Sequence, residues 1–185
     1  MEQPGARPPA PGPLALVQDF VNTADLEGRS DALRDPADLT AFWTTHGGDP
    51  ADLSGVTAAD VAHCRDLRES LRAACRAHAG CGPPAPTRLN ELLDRGPLTL
   101  RLDAAGDARL APAPGLTGVP LVIATVATAV AEAVAAGTWP RLKACESDPC
   151  QWVYYDRSRA ARSRWCTMAI CGSRAKMRAY RSRST

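Results

Sequence analysis

Apolar positions recur at helical spacing through most of the first 140 residues. Leu16, Phe20 and Thr23 share one face of a helix opening at Leu14. Asp35 followed by Pro36 is a helix start, with Leu39, Phe42 and Trp43 on its apolar face and Gly47-Gly48 ending it. Thr57 with Asp60 forms a variant capping box for a longer helix, whose Val61, Cys64, Leu67, Leu71, Ala74 and Cys75 keep the period up to Gly80. Cys64 and Cys75 are therefore expected as core thiols, and His63 and His78 as polar-face residues. Pro83 to Pro86 reads as a rigid connector, after which Thr87 caps a short helix with Leu89, Leu92 and Leu93 inward.

The pattern then changes period. Leu98 to Leu102 alternates, and Ala108 to Ala111 can return antiparallel across a turn at Gly106, giving a small β-hairpin. Val119 to Ala136 is almost wholly apolar, with Glu132 its one charge. Its length raises a membrane span, but its alanine content and missing aromatic or basic flanks favour a central core helix stopped by Gly137. No membrane association is expected. Trp139 to Lys143 then connects to the last forty residues.

Those residues follow a different logic. Cys145-x4-Cys150 and Cys166-x4-Cys171 are matched pairs with fifteen residues between them. Two like pairs across a loop have the spacing of a structural zinc site closed by four thiolates, one ion per chain. Two disulfides, or thiols buried as small hydrophobes, are the alternatives. Between the pairs, Gln151 to Asp156 reads as a strand, with Trp152, Tyr154 and Asp156 on one face and Val153 and Tyr155 on the other. Arg157 to Arg164 is a basic return loop, and Trp165 stands beside the third cysteine, where it could shield the site. A basic helix follows Cys171, with Ser173 the expected cap, Arg174, Arg178 and Arg181 on one stripe, and Met177 and Tyr180 the candidates to pack inward. Cys171 would lie near the positive end of that helix, which favours a thiolate.

Charge sharpens the division. Residues 141–185 carry eleven basic and three acidic side chains, a net of +8, whereas residues 1–140 carry eleven basic and seventeen acidic, a net of −6. A basic tail on an acidic body implies that phosphates meet the tail alone. The candidate nucleic-acid contacts are Arg157, Arg159, Arg162, Arg164, Arg174, Lys176, Arg178 and Arg181. Arginine supplies twenty of the twenty-two cations, a bias consistent with an alanine-, glycine- and proline-rich composition and not itself a sign of function. Neither a phosphate-binding glycine loop, nor a metal-binding histidine pair, nor a Ser/His/Asp order is present, so an enzyme is not expected.

Trp152, Asp156, Ser158, Arg159, Trp165-Cys166-Thr167-Met168 and Cys171-Gly172-Ser173-Arg174-Ala175-Lys176 resemble the CGNR-type zinc finger. Here Ser173 stands in place of the asparagine of the eponymous tetrapeptide, and Ala160 where an asparagine often follows Ser-Arg; neither position is a ligand. Phe20-Val21-Asn22-Thr23 resembles the opening motif of the ABATE domain usually found ahead of such fingers. The resemblance implies a stress-induced transcription regulator. The organisation expected is a disordered leader over 1–13, a helical ABATE-like domain over 14–140 and a finger over 141–185. The fold expected is mainly α with a small β-hairpin, followed by a small treble-like module in which four cysteines hold zinc between short strands and a basic helix. Asn22 is the candidate to line a ligand site, with bracing of the local fold as the alternative. DNA is the first expected partner, RNA the second, and a small-molecule effector or a homodimer could involve the helical domain. Nothing at the amino terminus has the order of an export signal, so a cytoplasmic protein is expected. A zinc-stapled protein-interaction module is the competing reading.

Overall fold

The computed structural model describes residues 3–82 and 87–182 of the chain. Five helices build the body: α1 (Leu14–Val21), α2 (Pro36–Thr45), α3 (Ala58–His78), α4 (Thr87–Leu93) and α5 (Gly118–Ala135). The start signals act as the sequence implies. The Asp35 side chain accepts from the Asp38 amide at the head of α2, and Thr57 and Asp60 form a reciprocal capping box at the head of α3. The expected connector at 83–86 lies outside the described residues.

α5 is long and apolar enough to cross a bilayer by length and composition, yet it packs against α1, α3 and α4 and under the hairpin of β3 (Leu98–Leu102) and β4 (Ala108–Pro112). Val122, Ile123, Val126 and Ala129 are buried there, and Glu132 sits on the exposed face. Cys64 and Cys75 are core residues, and burial pushes both thiols up to about 12. His78 departs from the polar-face expectation. It is half-buried, its Nδ1 lies 2.8 Å from the Leu142 carbonyl and its ring meets Trp139 edge-on, and burial lowers its pKa.

Two antiparallel pairs were not evident from the periodicity. β1 (Ala24–Asp25) and β2 (Ser30–Asp31) form a tight corner after α1. β5 (Leu142–Ala144) pairs with β6 (Val153–Tyr155), with Leu142 opposite Tyr155 and Ala144 opposite Val153. β5 was hidden because its three residues fall in a stretch that reads as a connector. This last pair has two dry faces. Leu142, Ala144, Val153 and Tyr155 join the main core, while Tyr154 turns to a second cluster made by the four paired cysteines with Trp152 and Trp165. The alternation expected for this strand is the one observed.

Part of the leader expected to be disordered, within residues 3–13, packs on the body, while Met1 and Glu2 lie outside the described residues. Gln3 and Ala10 are buried, and Gln18 of α1 explains why: its Oε1 accepts from the Ala10 amide at 2.6 Å and its Nε2 donates to Gln3 Oε1 at 2.9 Å. A polar side chain at a buried helical position gives the leader hydrogen bonds that a proline-rich segment cannot make for itself.

Candidate metal centre and basic helix

The four sulfurs of Cys145, Cys150, Cys166 and Cys171 all lie within 4.8 Å of one another, and all four residues are buried. Cys150 Sγ to Cys166 Sγ and Cys166 Sγ to Cys171 Sγ are each 3.7 Å. That spacing excludes the disulfides. A disulfide needs about 2.05 Å. A tetrahedron with arms of about 2.3 Å, the usual zinc–sulfur distance, has edges of about 3.8 Å. The donor set and its size fit one zinc ion held by four thiolates, which leaves no coordination position open to water.

Local structure places the ligands in pairs. The first pair closes on a turn in which the Ser147 carbonyl accepts from the amides of Cys150 and Gln151, and Gln151 takes a φ of 45°. Cys145 is fixed from the strand side by its amide donating to the Trp152 carbonyl at 2.9 Å. Of the second pair, Cys166 precedes and Cys171 lies within a wide π-type turn, Met168–Gly172, that runs straight into helix α6 (Ser173–Arg181). Thr167, not Ser173, is the cap: its Oγ1 accepts from the Ile170 amide at 3.1 Å, and the Ser173 hydroxyl instead donates back to the Met168 carbonyl. Gly172 lets the turn close tightly: a Cβ there would fall 2.8 Å from the Met168 sulfur and 3.2 Å from the Trp165 ring, and the Met168 side chain would have to move aside. Trp165 does cover the cysteine cluster, with Arg164 stacked over its ring.

Without an ion the sulfurs hydrogen-bond to one another: bonds from Cys150 and Cys166 lower the Cys145 pKa, and the bond to Cys145 raises that of Cys150. Hydrogen bonds to Cys145 and Cys150 push Cys166 up, and burial raises Cys171. Holding zinc requires all four as thiolates, so binding releases protons and weakens as pH falls.

The module is fastened to the helical body by the C-terminal half of α1 and its cap. Asn22 accepts from the Val153 amide and donates to the Val153 carbonyl, both at 2.8 Å, and Gln18 reaches the same carbonyl at 3.2 Å. At 2% exposure with both ends of its amide engaged, Asn22 is a brace between domain and finger, not the ligand contact that the sequence left open. Two buried arginines of α3 complete the joint; they escape sequence reasoning because their spacing reads as the polar edge of a helix. Arg72 donates to the Val21, Ala24 and Gln151 carbonyls. Arg68 forms a forked pair with Asp31 at 2.7 and 2.9 Å and reaches Thr23 Oγ1 at 3.2 Å. Within the module, Lys143 Nζ and Asp156 Oδ2 form a buried ion pair at 3.0 Å, with Ser158 and Ser163 donating to the same carboxylate. Burial would raise the Asp156 pKa, but the hydrogen bonds from Ser158, Lys143 and Ser163 outweigh it and hold the carboxyl well below the usual range.

The candidate nucleic-acid residues do not form one surface. Arg157 donates to the Pro9 carbonyl and stacks on Tyr155, and Arg164 pairs with Glu146. Arg159 and Arg162 are exposed in the return loop. Arg174, Arg178 and Arg181 line one groove along α6 together with Ile170 and Met177, and Lys176 is exposed beside them. Arg174 is also paired with Glu27 of the β1–β2 corner. Met177 and Tyr180 do not pack inward; they are 53% and 70% exposed, because α6 projects from the π-type turn with none of its residues buried.

Comparison with known families agrees with this division. A family model named ABATE and described as "Putative stress-induced transcription regulator" matches residues 14–137. The chain belongs to the ABATE family. A second model, the CGNR zinc finger, matches residues 141–184 and contains all four cysteines, so the metal centre is that of a CGNR finger. No curated protein matched this ABATE chain.

Proposed function

We propose that this ABATE–CGNR protein is a cytoplasmic, one-component transcription regulator whose finger binds DNA through α6 and whose helical domain carries an effector site or a dimer contact. It works by binding and not by catalysis. The observation that supports this most is the position of α6. It is a basic helix, anchored at one end by two metal ligands, with Arg174, Arg178 and Arg181 on a single stripe and no face committed to the core. Such a helix can enter a groove without unfolding anything. Phosphate contacts would supply affinity, and a forked arginine on a guanine edge would supply sequence choice. The zinc ion sets the direction in which the helix leaves the body.

One observation favours the competing protein-interaction reading: Met168, Ile170, Met177 and Tyr180 are exposed among the cations. Salt separates the two. If Arg174, Lys176, Arg178 and Arg181 each neutralise one phosphate, the logarithm of affinity should fall with that of salt at a slope of about −3.6. The experiment is binding of zinc-loaded protein to random and genomic DNA fragments across a salt series. Steep dependence with enrichment of one sequence supports the regulator. No binding at low salt by zinc-loaded protein defeats it and leaves the protein-interaction reading.

A further inference from the structure

A cavity of about 550 Å³ lies where three parts of the chain meet: the packed leader, the β1–β2 corner and the cysteine cluster. That volume is within the range of small-molecule sites, roughly 300–1,000 Å³. One zinc ion inside a 4.8 Å group of sulfurs takes up little of it. Cys150, Cys166 and Cys171 form one wall, Trp152 and Ile170 supply apolar surface, and Asp25 and Glu27 bring carboxylates from the corner.

Gln3 makes this more than a dent. Its side chain lines the cavity and is only 5% exposed. Its Oε1 is fully used, accepting from Gln18 Nε2 at 2.9 Å and Trp152 Nε1 at 3.0 Å. Those two donors fix which way round the amide sits, and its Nε2 has no partner among the described residues. A buried donor without an acceptor is costly, and a ligand oxygen would relieve it.

Charge defines the rest of the ligand. Both charged side chains on the wall are carboxylates. Four thiolates around one zinc add a net charge of about −2. An anion is repelled from three sides, whereas a cation is attracted by them and by the Trp152 ring. We propose that this cavity is the effector site, and that it takes a small organic cation bearing a carbonyl oxygen for Gln3 Nε2. Glu27 is shared between two jobs, since it lines the cavity and also pairs with Arg174 of the DNA-facing stripe. A bound cation competes for that carboxylate and frees Arg174, so occupancy raises affinity for DNA. The site stands on its own geometry; only the effect on affinity rests on the proposed function.

The test uses zinc-loaded full-length protein and two probes of one shape: 1-methylnicotinamide, a planar cation with a carboxamide, and uncharged nicotinamide. Amide-resolved NMR titration should show saturable shifts at the Gln3 side chain, the Trp152 indole N–H, Gly28 and Ile170 for the cation. Nicotinamide should bind about tenfold more weakly. Ile170→Trp, a change at a residue 45% exposed, should fill the cavity and remove the shifts without unfolding the chain. Shifts that do not saturate, that spread elsewhere, or that are equal for both probes would overturn the site. In a separate DNA titration the cation should tighten binding by the wild type but not by Glu27→Gln. Unchanged affinity despite saturation of the site would overturn the coupling. Failure of the protein to bind any DNA would defeat the regulator reading and leave the NMR result to decide the site.

Discussion

Asn22→Ala tests the joint between domain and finger. The wild-type amide makes two 2.8 Å bonds to the Val153 main chain in a place with almost no solvent. Alanine removes both. The Val153 carbonyl keeps Gln18 as a donor, but the Val153 amide loses its acceptor inside a buried strand. One orphaned donor costs about 1–3 kcal/mol, and loss of the second bond adds about 1 kcal/mol, so the change should cost about 2–4 kcal/mol. For a chain of this size that is a fall in melting temperature of roughly 5–15 °C. Asn22→Asp should be worse. It keeps an acceptor for the amide but turns a buried carboxylate oxygen against the Val153 carbonyl. Calorimetry of the zinc-loaded variants, with zinc content measured on the same samples, gives the answer. An Asn22→Ala protein within about 0.5 kcal/mol of wild type would refute the brace and return Asn22 to the ligand-contact reading.

Four further changes probe the module and its contact with the body. Lys143→Met strands the Asp156 charge and should cost about 3–5 kcal/mol, measured by denaturant unfolding. Because the folded Asp156 pKa is depressed, its stabilisation is present above the unfolded value near pH 4 and is lost as pH falls through the folded value. Removing Lys143 raises the folded value, so the loss should begin at higher pH in the variant than in the wild type. Cys166→Ser takes the ligand shared by both 3.7 Å contacts, and bound zinc should fall from one per chain to near zero, with protease cleavage opening within 145–182. Arg174→Ala with Arg178→Ala should reduce the salt slope of DNA binding by about 2 at unchanged zinc content. Glu27→Gln alone should tighten binding by roughly two- to fivefold, the range open to an exposed ion pair.

What could be read from the chain followed from repetition and pairing. The helices of the body declare themselves because a periodic apolar face and a capping residue are local facts: Thr57 and Asp60 need only each other. The zinc ligands are legible for the same reason, as two equal spacings that meet on one ion. The pieces that escaped depend on residues far apart. β5 has three residues and no pattern of its own; it exists because Val153 to Tyr155 lies alongside. The packing of Gln3 and Ala10 depends on Gln18, whose buried amide looks in sequence like an ordinary polar helix position. Ser173 was the natural cap for a helix beginning at its own position, but the π-type turn moves the start back to Thr167. Met177 and Tyr180 follow helical spacing on a helix with no buried residue among those described, so periodicity alone could not tell an inner face from an outer one.

The joint also bears on how the two halves of the molecule influence one another. β6 sends Val153 and Tyr155 into the core of the helical domain and Tyr154 into the cysteine cluster, so one strand of three residues is shared by both. The finger is therefore not a bead on a linker. Loss of zinc should release Tyr154 first, and then the register of β6 on which Asn22, Gln18 and Arg72 converge. The reverse path is open too, because whatever orders α1 and the β1–β2 corner holds Glu27 against the base of α6. Linkage requires these effects to be reciprocal: if metal raises the stability of the helical domain, stabilising that domain must raise affinity for metal by the same factor. Zinc affinity of Asn22→Ala, measured by chelator competition, should accordingly drop along with its melting temperature. A variant that melts lower while holding zinc as tightly as the wild type would mean that Val153 passes no strain to Cys145 and Cys150.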